Sequence, residues 1–326
     1  MHAYEFDNWR LARRARRETW SWATSTREDI RIIDLPTSHV RVRIVGQGQR
    51  TIVFPCDMPN VVENHDEVIR LLQDDYRVVS YEQPGFGFSY PKRNFDYTRR
   101  AYADTLTELL RALGPGPYTL AAQCVSTFYA LQVAYEQPKL VDSLVLMQAT
   151  EWPRQCEWAK QVMKGFGLLA AYLPLIGEPV TRTPGLGQLL YASIEPKFAR
   201  RTHPHVIHRA NERQELFRAL TGPLYAAFEH GACNCMASAY QRYFDPNSTI
   251  PKVTQPSLVL WANADQSHQT SDSRGLLHYA PQADWQELPN TGHHLEIENA
   301  PAVTDAIKTW LRQRTHENRG RLVSEH

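Results

Sequence analysis

The 326-residue sequence has few cysteines and almost no net charge. Its five cysteines are odd in number and irregularly spaced, so they lack the framework of paired cysteines found in small disulfide-rich secreted domains. This usage predicts reduced thiols and a cytoplasmic setting. The formal net charge of +1 argues against a nucleic-acid-binding protein, because binding to a phosphate backbone needs a concentrated basic face.

Long hydrophobic runs are also missing. The uncharged run over residues 113–135 is interrupted by prolines and glutamines, and the more apolar run over 165–177 is too short to span a bilayer. We therefore expect no transmembrane segment and interpret the second run as a buried or lid helix. The N-terminal arginines lack the apolar core of a signal peptide, and the acidic residues among them are not typical of a transit peptide, so we expect no export.

Strand patterns alternate with helix patterns along much of the chain. Residues 51–54 and 141–147 are continuous apolar runs typical of buried strands, whereas 40–44 alternates with period two and predicts an edge strand with one wet face. Amphipathic helix patterns cover residues 99–113 and 301–312. This alternation predicts an α/β fold whose mostly parallel sheet is covered by helices on both faces.

The alternation stops over residues 151–251, a stretch rich in aromatic residues, prolines and glycines. We interpret this stretch as a helical cap inserted above the strand ends. The expected domains are a first part of the α/β core over 1–150, which includes a basic N-terminal segment at 1–27, then the cap, then the second part of the core over 252–326. The sequence contains no internal repeat or low-complexity segment.

A cysteine stands where an apolar strand pattern turns into a helix pattern. The strand pattern ends at Ala122, the helix pattern begins at Val125, and Cys124 is at the corner. A nucleophile held on such a sharp turn needs small residues two positions before and after it, which here are Ala122 and Ser126. A free cysteine at a strand end is, by itself, more often a small core residue than a nucleophile, so the assignment depends on its partners.

A thiol nucleophile needs a base to take its proton and an acid to orient that base. Asp265 follows a strand pattern, and His293 comes after the last strand pattern, directly behind a glycine. Reactive groups gather at the carboxyl ends of the strands in a parallel sheet. Two alternatives stay open: His294 as the base, and Glu151, which follows the strand pattern after the cysteine helix, as the acid.

With nucleophile, acid and histidine in this order, the chain resembles the α/β-hydrolase superfamily over nearly its whole length. The features that carry the resemblance are the Pro-Gly-Phe-Gly loop at 84–87, the elbow at Cys124, the strand over 144–146, Asp265 after its strand, and the Gly-His step at His293 before a closing helix. The resemblance implies an α/β-hydrolase fold in which Cys124 is the nucleophile, Asp265 the orienting acid and His293 the base.

The resemblance also implies an oxyanion hole, formed by the N–H of Val125 and one N–H of the loop after the 51–54 strand. Family members usually have His-Gly in that loop, whereas this chain has Pro55, Cys56 and Asp57. Because proline has no N–H, the second donor is Cys56 or Asp57. A carboxylate beside the hole would repel a developing oxyanion unless it is paired, so Asp57 could instead hold a cation such as a substrate ammonium.

The sulfur nucleophile favours acyl transfer between thiols. A histidine partner is expected to lower the pKa of the thiol and give an attacking thiolate, and its attack on a thioester exchanges one thioester for another with little change in free energy. Within the superfamily, the chain resembles cysteine-bearing aminoacyltransferases that shuttle groups between phosphopantetheinyl carrier proteins in nonribosomal peptide biosynthesis. That resemblance implies acyl or aminoacyl transfer through a Cys124 thioester.

Two alternatives to this transferase stay open. One is a thioesterase or other hydrolase that uses the same triad and passes the acyl group to water. The other is a non-catalytic homologue that binds a small molecule or a partner in the cap pocket, with Cys124 as a bystander.

Other residues are candidates for binding. Glu82, Gln123 and Glu151 are candidate substrate-binding residues, the two carboxylates as partners for an aminoacyl ammonium. The arginines within 10–17, or those at 200–201 in the cap, could dock an acidic carrier protein, although a solvated helix face explains either cluster alone.

Several histidines and cysteines look at first like metal ligands but fit no regular zinc spacing: His203, His205, His208, Cys233 and Cys235. A nucleophilic cysteine needs no metal, so we expect neither a metal nor a cofactor. Cys56 and Cys156 are expected to be buried thiols.

Overall fold

The computed structural model describes residues 3–15, 27–166, 206–209 and 211–324. The strands are β1 Ile30–Asp34, β2 Ser38–Val45, β3 Thr51–Pro55, β4 Arg77–Tyr81, β5 Phe86–Gly87, β6 Tyr90–Pro91, β7 Tyr118–Gln123, β8 Val141–Met147, β9 Cys233–Asn234, β10 Ser257–Ala262 and β11 Asp284–Leu288. The central sheet has the order β1-β2-β4-β3-β7-β8-β10-β11, with β6 paired to β2. All neighbouring pairs from β4 to β11 are parallel, whereas β2 pairs antiparallel with β1 and with β4.

The helices are α1 Ala3–Ala15, α2 Asp66–Leu72, α3 Arg99–Leu113, α4 Ser126–Glu136, α5 Trp152–Phe166, α6 Gln214–Glu229, α7 Met236–Tyr243, α8 Leu295–Glu298 and α9 Ala300–Ser324. Short 3₁₀ turns cover Val62–His65, Gln266–His268 and Gly275–His278. Among the helices that the structure describes, none is both long and apolar enough to cross a membrane.

Two apolar cores lie on opposite faces of the sheet. Along β3, Val53 packs into the core that contains α3 and α4, whereas Ile52 and Phe54 pack into the core that contains α2 and α9. In a strand that is buried on both faces, polar residues do not alternate with apolar ones, which explains the continuous apolar run over residues 51–54. The expected α/β fold, with a mostly parallel sheet covered on both faces, is confirmed.

The edge strand predicted at residues 40–44 is wrong. Strand β2 lies between β1 and β4, and the two arginines in its alternating pattern, Arg41 and Arg43, are 1% and 8% exposed. Arg41 pairs with Glu82 at 2.7 Å, and Arg43 pairs with Asp29 at 2.6 Å. The alternating arginines are therefore buried here and do not form a wet face, because Arg41 has a buried carboxylate partner and Arg43 has a partly buried one.

Within the predicted cap at 151–251, the structure describes α5, α6, α7 and the strand β9, which pairs with β5 of the core. The domain boundaries remain a prediction. The arginines at 200–201, and those of the N-terminal cluster beyond residue 15, lie outside the described residues, as do His203 and His205.

Candidate active site

The corner between β7 and α4 places Cys124 in a left-handed backbone conformation with φ of 46°. Such a conformation costs a residue with a Cβ on the order of 1–3 kcal/mol and persists only where the surroundings enforce it. The Cys124 N–H donates to the Met147 carbonyl at 2.9 Å, and the Ser126 hydroxyl accepts from the Gln123 N–H at 2.8 Å. The predicted strand-to-helix corner is confirmed, and its strain is typical of a nucleophile elbow.

Asp265 and His293 meet at the carboxyl ends of neighbouring strands. Asp265 follows β10, His293 lies in the loop after β11, and His293 Nδ1 donates to Asp265 Oδ2 at 2.8 Å. A ring nitrogen of His293, the Cys124 sulfur and a carboxylate oxygen of Asp57 lie within 4.8 Å of one another. The structure therefore brings the candidate nucleophile, acid and base together, and it places Asp57 among them.

The two alternatives for base and acid have other surroundings. His294 turns its Nδ1 towards the Glu296 carboxylate at 3.1 Å. Glu151 makes no hydrogen bond or ion pair with His293 in the described part of the chain, and the Nδ1 of His293 is bonded to Asp265. His293 and Asp265 are therefore the histidine and the carboxylate that form a pair beside the thiol.

Five donors converge on the carboxylate of Asp265. Its Oδ2 accepts from His293, from His268 Nδ1 at 2.9 Å and from Gln148 Nε2 at 2.9 Å, and its Oδ1 accepts from the N–H and the hydroxyl of Ser267. Burial alone would raise the pKa of Asp265, but the two histidines outweigh burial and hold the pKa well below its usual range. Asp265 is therefore a fixed anion in a fixed orientation.

His268 and Trp158 stack on the candidate base. The His268 and His293 rings are parallel within 3°, with centroids 5.1 Å apart, and Trp158 stacks on His268 at 4.8 Å. Burial lowers the pKa of His268, so this ring is neutral at neutral pH. Burial acts in the same direction on His293, but the charge of Asp265 outweighs it and holds the pKa of His293 well above its usual value. The resting His293 is therefore an imidazolium.

The Cys124 thiol is fully buried. Burial raises the pKa of Cys124 to about 12, the Asp57 carboxylate adds to the rise, and His293 opposes it. The expectation that the histidine would supply a ready thiolate is wrong for this resting site, because burial and a second carboxylate outweigh the imidazolium.

Asp57 faces His293 from the loop after β3. Its Oδ2 lies 3.8 Å from His293 Nε2, a distance suited to an ion pair and too long for a hydrogen bond. Its Oδ1 is buried and has no hydrogen-bond partner among the described residues. The His293 ring therefore lies between two carboxylates, Asp265 on Nδ1 and Asp57 on Nε2.

The backbone around β3 decides between the two candidates for the second oxyanion donor. The Cys56 N–H donates to the Tyr81 carbonyl at 2.9 Å and continues the β3-β4 ladder, so the assignment of Cys56 is corrected. In the described residues, neither the Asp57 N–H nor the Val125 N–H has an intramolecular acceptor. These two N–H groups remain the proposed donors.

Two of the three substrate-binding candidates have structural partners. The Glu82 carboxylate is fully buried and pairs with Arg41, so it is not free to hold a substrate ammonium. Gln123 Nε2 donates to the His293 carbonyl at 2.9 Å and supports the histidine loop. Both assignments are therefore corrected, while that of Glu151 stays a prediction.

Helices that follow β8 also reach the site. From α5, Gln155 Nε2 lies 3.5 Å from the Cys124 sulfur, and from α7 the Tyr243 hydroxyl donates to the Val125 carbonyl at 2.6 Å. Neither residue was predicted from the sequence. Cys56 and Cys156 are buried thiols, as predicted.

Glu298 ties the histidine loop to the segment before α6. Its Oε2 accepts from the His208 N–H at 3.0 Å, and the His293 N–H donates to the Val206 carbonyl at 2.8 Å. A Cβ added to Gly292 would lie 2.3 Å from Glu298 Oε1, which explains why a glycine precedes the histidine.

Replacing Glu298 by glutamine is expected to change how stability depends on pH. Burial raises the pKa of Glu298 to about 7, although backbone N–H groups and Arg213 oppose the rise. The folded state therefore favours the protonated acid, so the stability that Glu298 contributes is present below its usual pKa of 4.5 and is lost as the pH rises to about 7. Glu298→Gln should gain up to about 3 kcal/mol relative to wild type across this window.

Urea unfolding of both proteins at about pH 5 and about pH 7.5 measures this gain. The control is Glu212→Gln, whose carboxylate is 71% exposed. Equal pH dependence in wild type and Glu298→Gln would contradict the prediction.

Among the described residues, two groups of side chains lie close enough together to hold a metal ion: Asp57, Cys124 and His293, and Asp265, His268 and His293. In the second group, both histidine nitrogens already donate to Asp265, and a metal would need the lone pairs that exist only without those protons. The second group is therefore better suited to a carboxylate that accepts hydrogen bonds from two histidines than to a metal ion. The absence of a metal stays a prediction.

Two curated proteins resemble the chain over most of their length. The "Putative carbamate hydrolase RutD" of Yersinia enterocolitica is 23% identical over 277 residues, covering 82% of this chain and 90% of that protein. The "Uncharacterized hydrolase YugF" of Bacillus subtilis is 20% identical over 266 residues, covering 81% of this chain and 91% of that protein. Both are named as hydrolases, not transferases.

Solved structures show the same fold. An epoxide hydrolase from an endophytic Streptomyces has a TM-score of 0.67 at 17% identity, covering 88% of this chain and 96% of its own. A thermophilic esterase from Thermogutta terrifontis has a TM-score of 0.63 at 19% identity, covering 87% of this chain and 98% of its own. A family model described as alpha/beta hydrolase fold matches residues 58–300, which include Cys124, Asp265 and His293. With the sheet order, the elbow and this match in agreement, the chain belongs to the α/β-hydrolase fold family.

Proposed function

We propose that this protein cleaves acyl thioesters through an acyl-enzyme on Cys124, with water as the final acceptor. The observation that supports this most is the arrangement of the thiol, on a strained corner, beside a histidine whose other nitrogen is held by Asp265 at 2.8 Å. The hydrolase names of the relatives favour water over a second thiol.

The proposed reaction has two halves. In the first, the neutral form of His293 takes the proton of the thiol at Nε2, the sulfur attacks the thioester carbonyl, and the N–H groups of Val125 and Asp57 hold the oxyanion. Collapse expels the donor thiol, which takes its proton from His293. In the second, His293 Nε2 takes a proton from a water that attacks the Cys124 thioester. The carbon–sulfur bond then breaks, the sulfur takes the proton back from His293, and the free acid leaves.

A second candidate is transfer of the acyl or aminoacyl group to another thiol, such as a phosphopantetheinyl carrier protein. Burial of the site favours this candidate, because Cys124, His293 and Asp57 are 0%, 4% and 7% exposed, and a site that excludes water protects a thioester intermediate. Thioester exchange is also close to neutral in free energy, which suits a reversible shuttle.

Intact-protein mass spectrometry after mixing with a loaded pantetheine thioester tests the proposal. We expect a mass increase that is absent in Cys124→Ala and that decays as free acid accumulates. Decay only on addition of a second thiol, with the acyl group found on that thiol, would favour the transferase. No adduct and no free acid would contradict both candidates and favour the non-catalytic homologue.

A further inference from the structure

We propose that Asp57 binds a positively charged group of the acyl substrate and that this binding activates Cys124. The inference rests on the proposed acyl transfer to Cys124 and deepens it by naming the substrate class, namely acyl groups with a cation such as an ammonium near the reacting carbonyl. Its starting point is Asp57 Oδ1, a buried oxygen that has no hydrogen-bond partner among the described residues and belongs to a side chain beside the nucleophile.

A buried carboxylate needs a partner, because leaving its charge uncompensated costs on the order of several kcal/mol. Asp57 is 7% exposed, and among the described residues its Oδ2 faces the His293 ring at 3.8 Å. A substrate cation would supply the partner that Oδ1 lacks. A neutral acyl group would leave the carboxylate unpaired beside a developing oxyanion, so the site would reject it.

The position of the carboxylate limits where the cation can sit. The Asp57 N–H is a proposed donor to the substrate carbonyl oxygen, and the carboxylate of the same residue begins two bonds from its Cα. A cation bound to this carboxylate must therefore lie two or three bonds from the carbonyl carbon, attached to the α or β carbon of the acyl group. A cation at the end of a long acyl chain would not reach it.

The same carboxylate accounts for the resting protonation of the site. Asp57 and Asp265 flank the imidazolium of His293, and Asp57 adds to the raised pKa of Cys124. In this state the base already holds a proton and the thiol keeps its own. A cation paired with Asp57 cancels one negative charge, so the pKa of His293 and the pKa of Cys124 both fall. His293 Nε2 then releases its proton to solvent and can accept the proton of the thiol.

Two pairs of pantetheine thioesters of matched shape test the substrate class. Glycyl and propanoyl thioesters differ only by an ammonium in place of a methyl group, and so do 3-aminopropanoyl and butanoyl thioesters. We expect wild-type Cys124 to be acylated about 100-fold faster by the amino member of at least one pair. This ratio corresponds to the free energy of one hydrogen-bonded charge pair. Asp57→Asn, which keeps the backbone N–H, should bring that ratio to within about threefold by slowing the amino member. Exposed Asp74→Asn should keep the wild-type ratio.

Rescue by an added cation distinguishes activation of Cys124 from simple binding of the substrate. Methylammonium should accelerate acylation by the propanoyl thioester in wild type and not in Asp57→Asn, whereas sodium at the same ionic strength should do neither. No rescue would overturn the activating step.

The failures of the two proposals are distinguishable. Equal acylation by both members of each pair, unchanged by Asp57→Asn, would overturn the role of Asp57 and leave acyl transfer to Cys124 standing. No acylation by any of the four thioesters would overturn the proposed function and the inference with it.

Discussion

Cys124→Ser is expected to fold like wild type and to lose at least about 10³-fold in kcat/KM for thioesters. The buried site already opposes ionisation of the sulfur, whose pKa is raised to about 12, and a hydroxyl in the same place is far more weakly acidic. The oxygen would also meet a base that rests as an imidazolium. Cys124→Ala removes the nucleophile and sets the background rate.

Steady-state thioester cleavage, with the melting temperature as the check on folding, measures this loss. Cys156→Ser is the matched control, because Cys156 is also a buried free thiol and has no contact with His293 in the described structure. Its rate should stay within about threefold of wild type. More than a tenth of wild-type activity in a folded Cys124→Ser protein would remove Cys124 from the mechanism.

The local pattern predicts a strand-to-helix corner at Cys124 and two candidate partners after later strands. The structure has that corner, and Cys124 is in a left-handed conformation there. Asp265 and His293 were found because each follows a strand of a parallel sheet, and strand ends share one edge. Strand order predicts that these two residues lie side by side, because each follows one of two neighbouring parallel strands.

The support around the acid could not be predicted from the sequence. Gln148 follows a different strand, yet it donates to Asp265 across 117 positions of sequence. His268 lies three residues after Asp265, a spacing that hints at a local bond, but its parallel stack on His293 depends on the tertiary structure. Such residues are recognised only when neighbouring strands and loops are in place.

The burial of charged residues was the second feature that could not be predicted from the sequence. The alternation around Arg41 predicted a solvent-exposed face. The sequence shows that a residue is charged, but it does not show whether a buried carboxylate such as Glu82 lies beside it. At Asp57 the sequence showed a conflict between a carboxylate and an oxyanion. In the described residues, the distance from Asp57 to His293 and the Asp57 oxygen without a hydrogen-bond partner make Asp57 a candidate cation site.

Asp265→Asn is expected to reduce kcat/KM by about 10²–10⁴-fold at neutral pH, the range seen when a triad acid becomes an amide. Ser267 donates to Oδ1 of Asp265, so an asparagine would keep its oxygen there and turn its NH₂ towards the donors on the other side. His293 Nδ1 would then have to accept a hydrogen bond from that NH₂ through its lone pair. That tautomer carries a hydrogen on Nε2, facing Cys124, and cannot take the proton of the thiol.

The pH profile of Cys124 acylation distinguishes this effect from a loss of structure. His268→Phe is the informative companion, because phenylalanine can keep the stack on His293 and removes one donor from Asp265. The Asp265 carboxylate would then interact more strongly with His293 and raise the pKa of His293. The acid limb of the pH profile should therefore move to higher pH, while the maximal rate falls less than about tenfold. If Asp265→Asn stays within tenfold of wild type, the orienting acid has been misassigned, because the Asp265 carboxylate would then not be needed to keep the Nε2 lone pair directed towards the thiol.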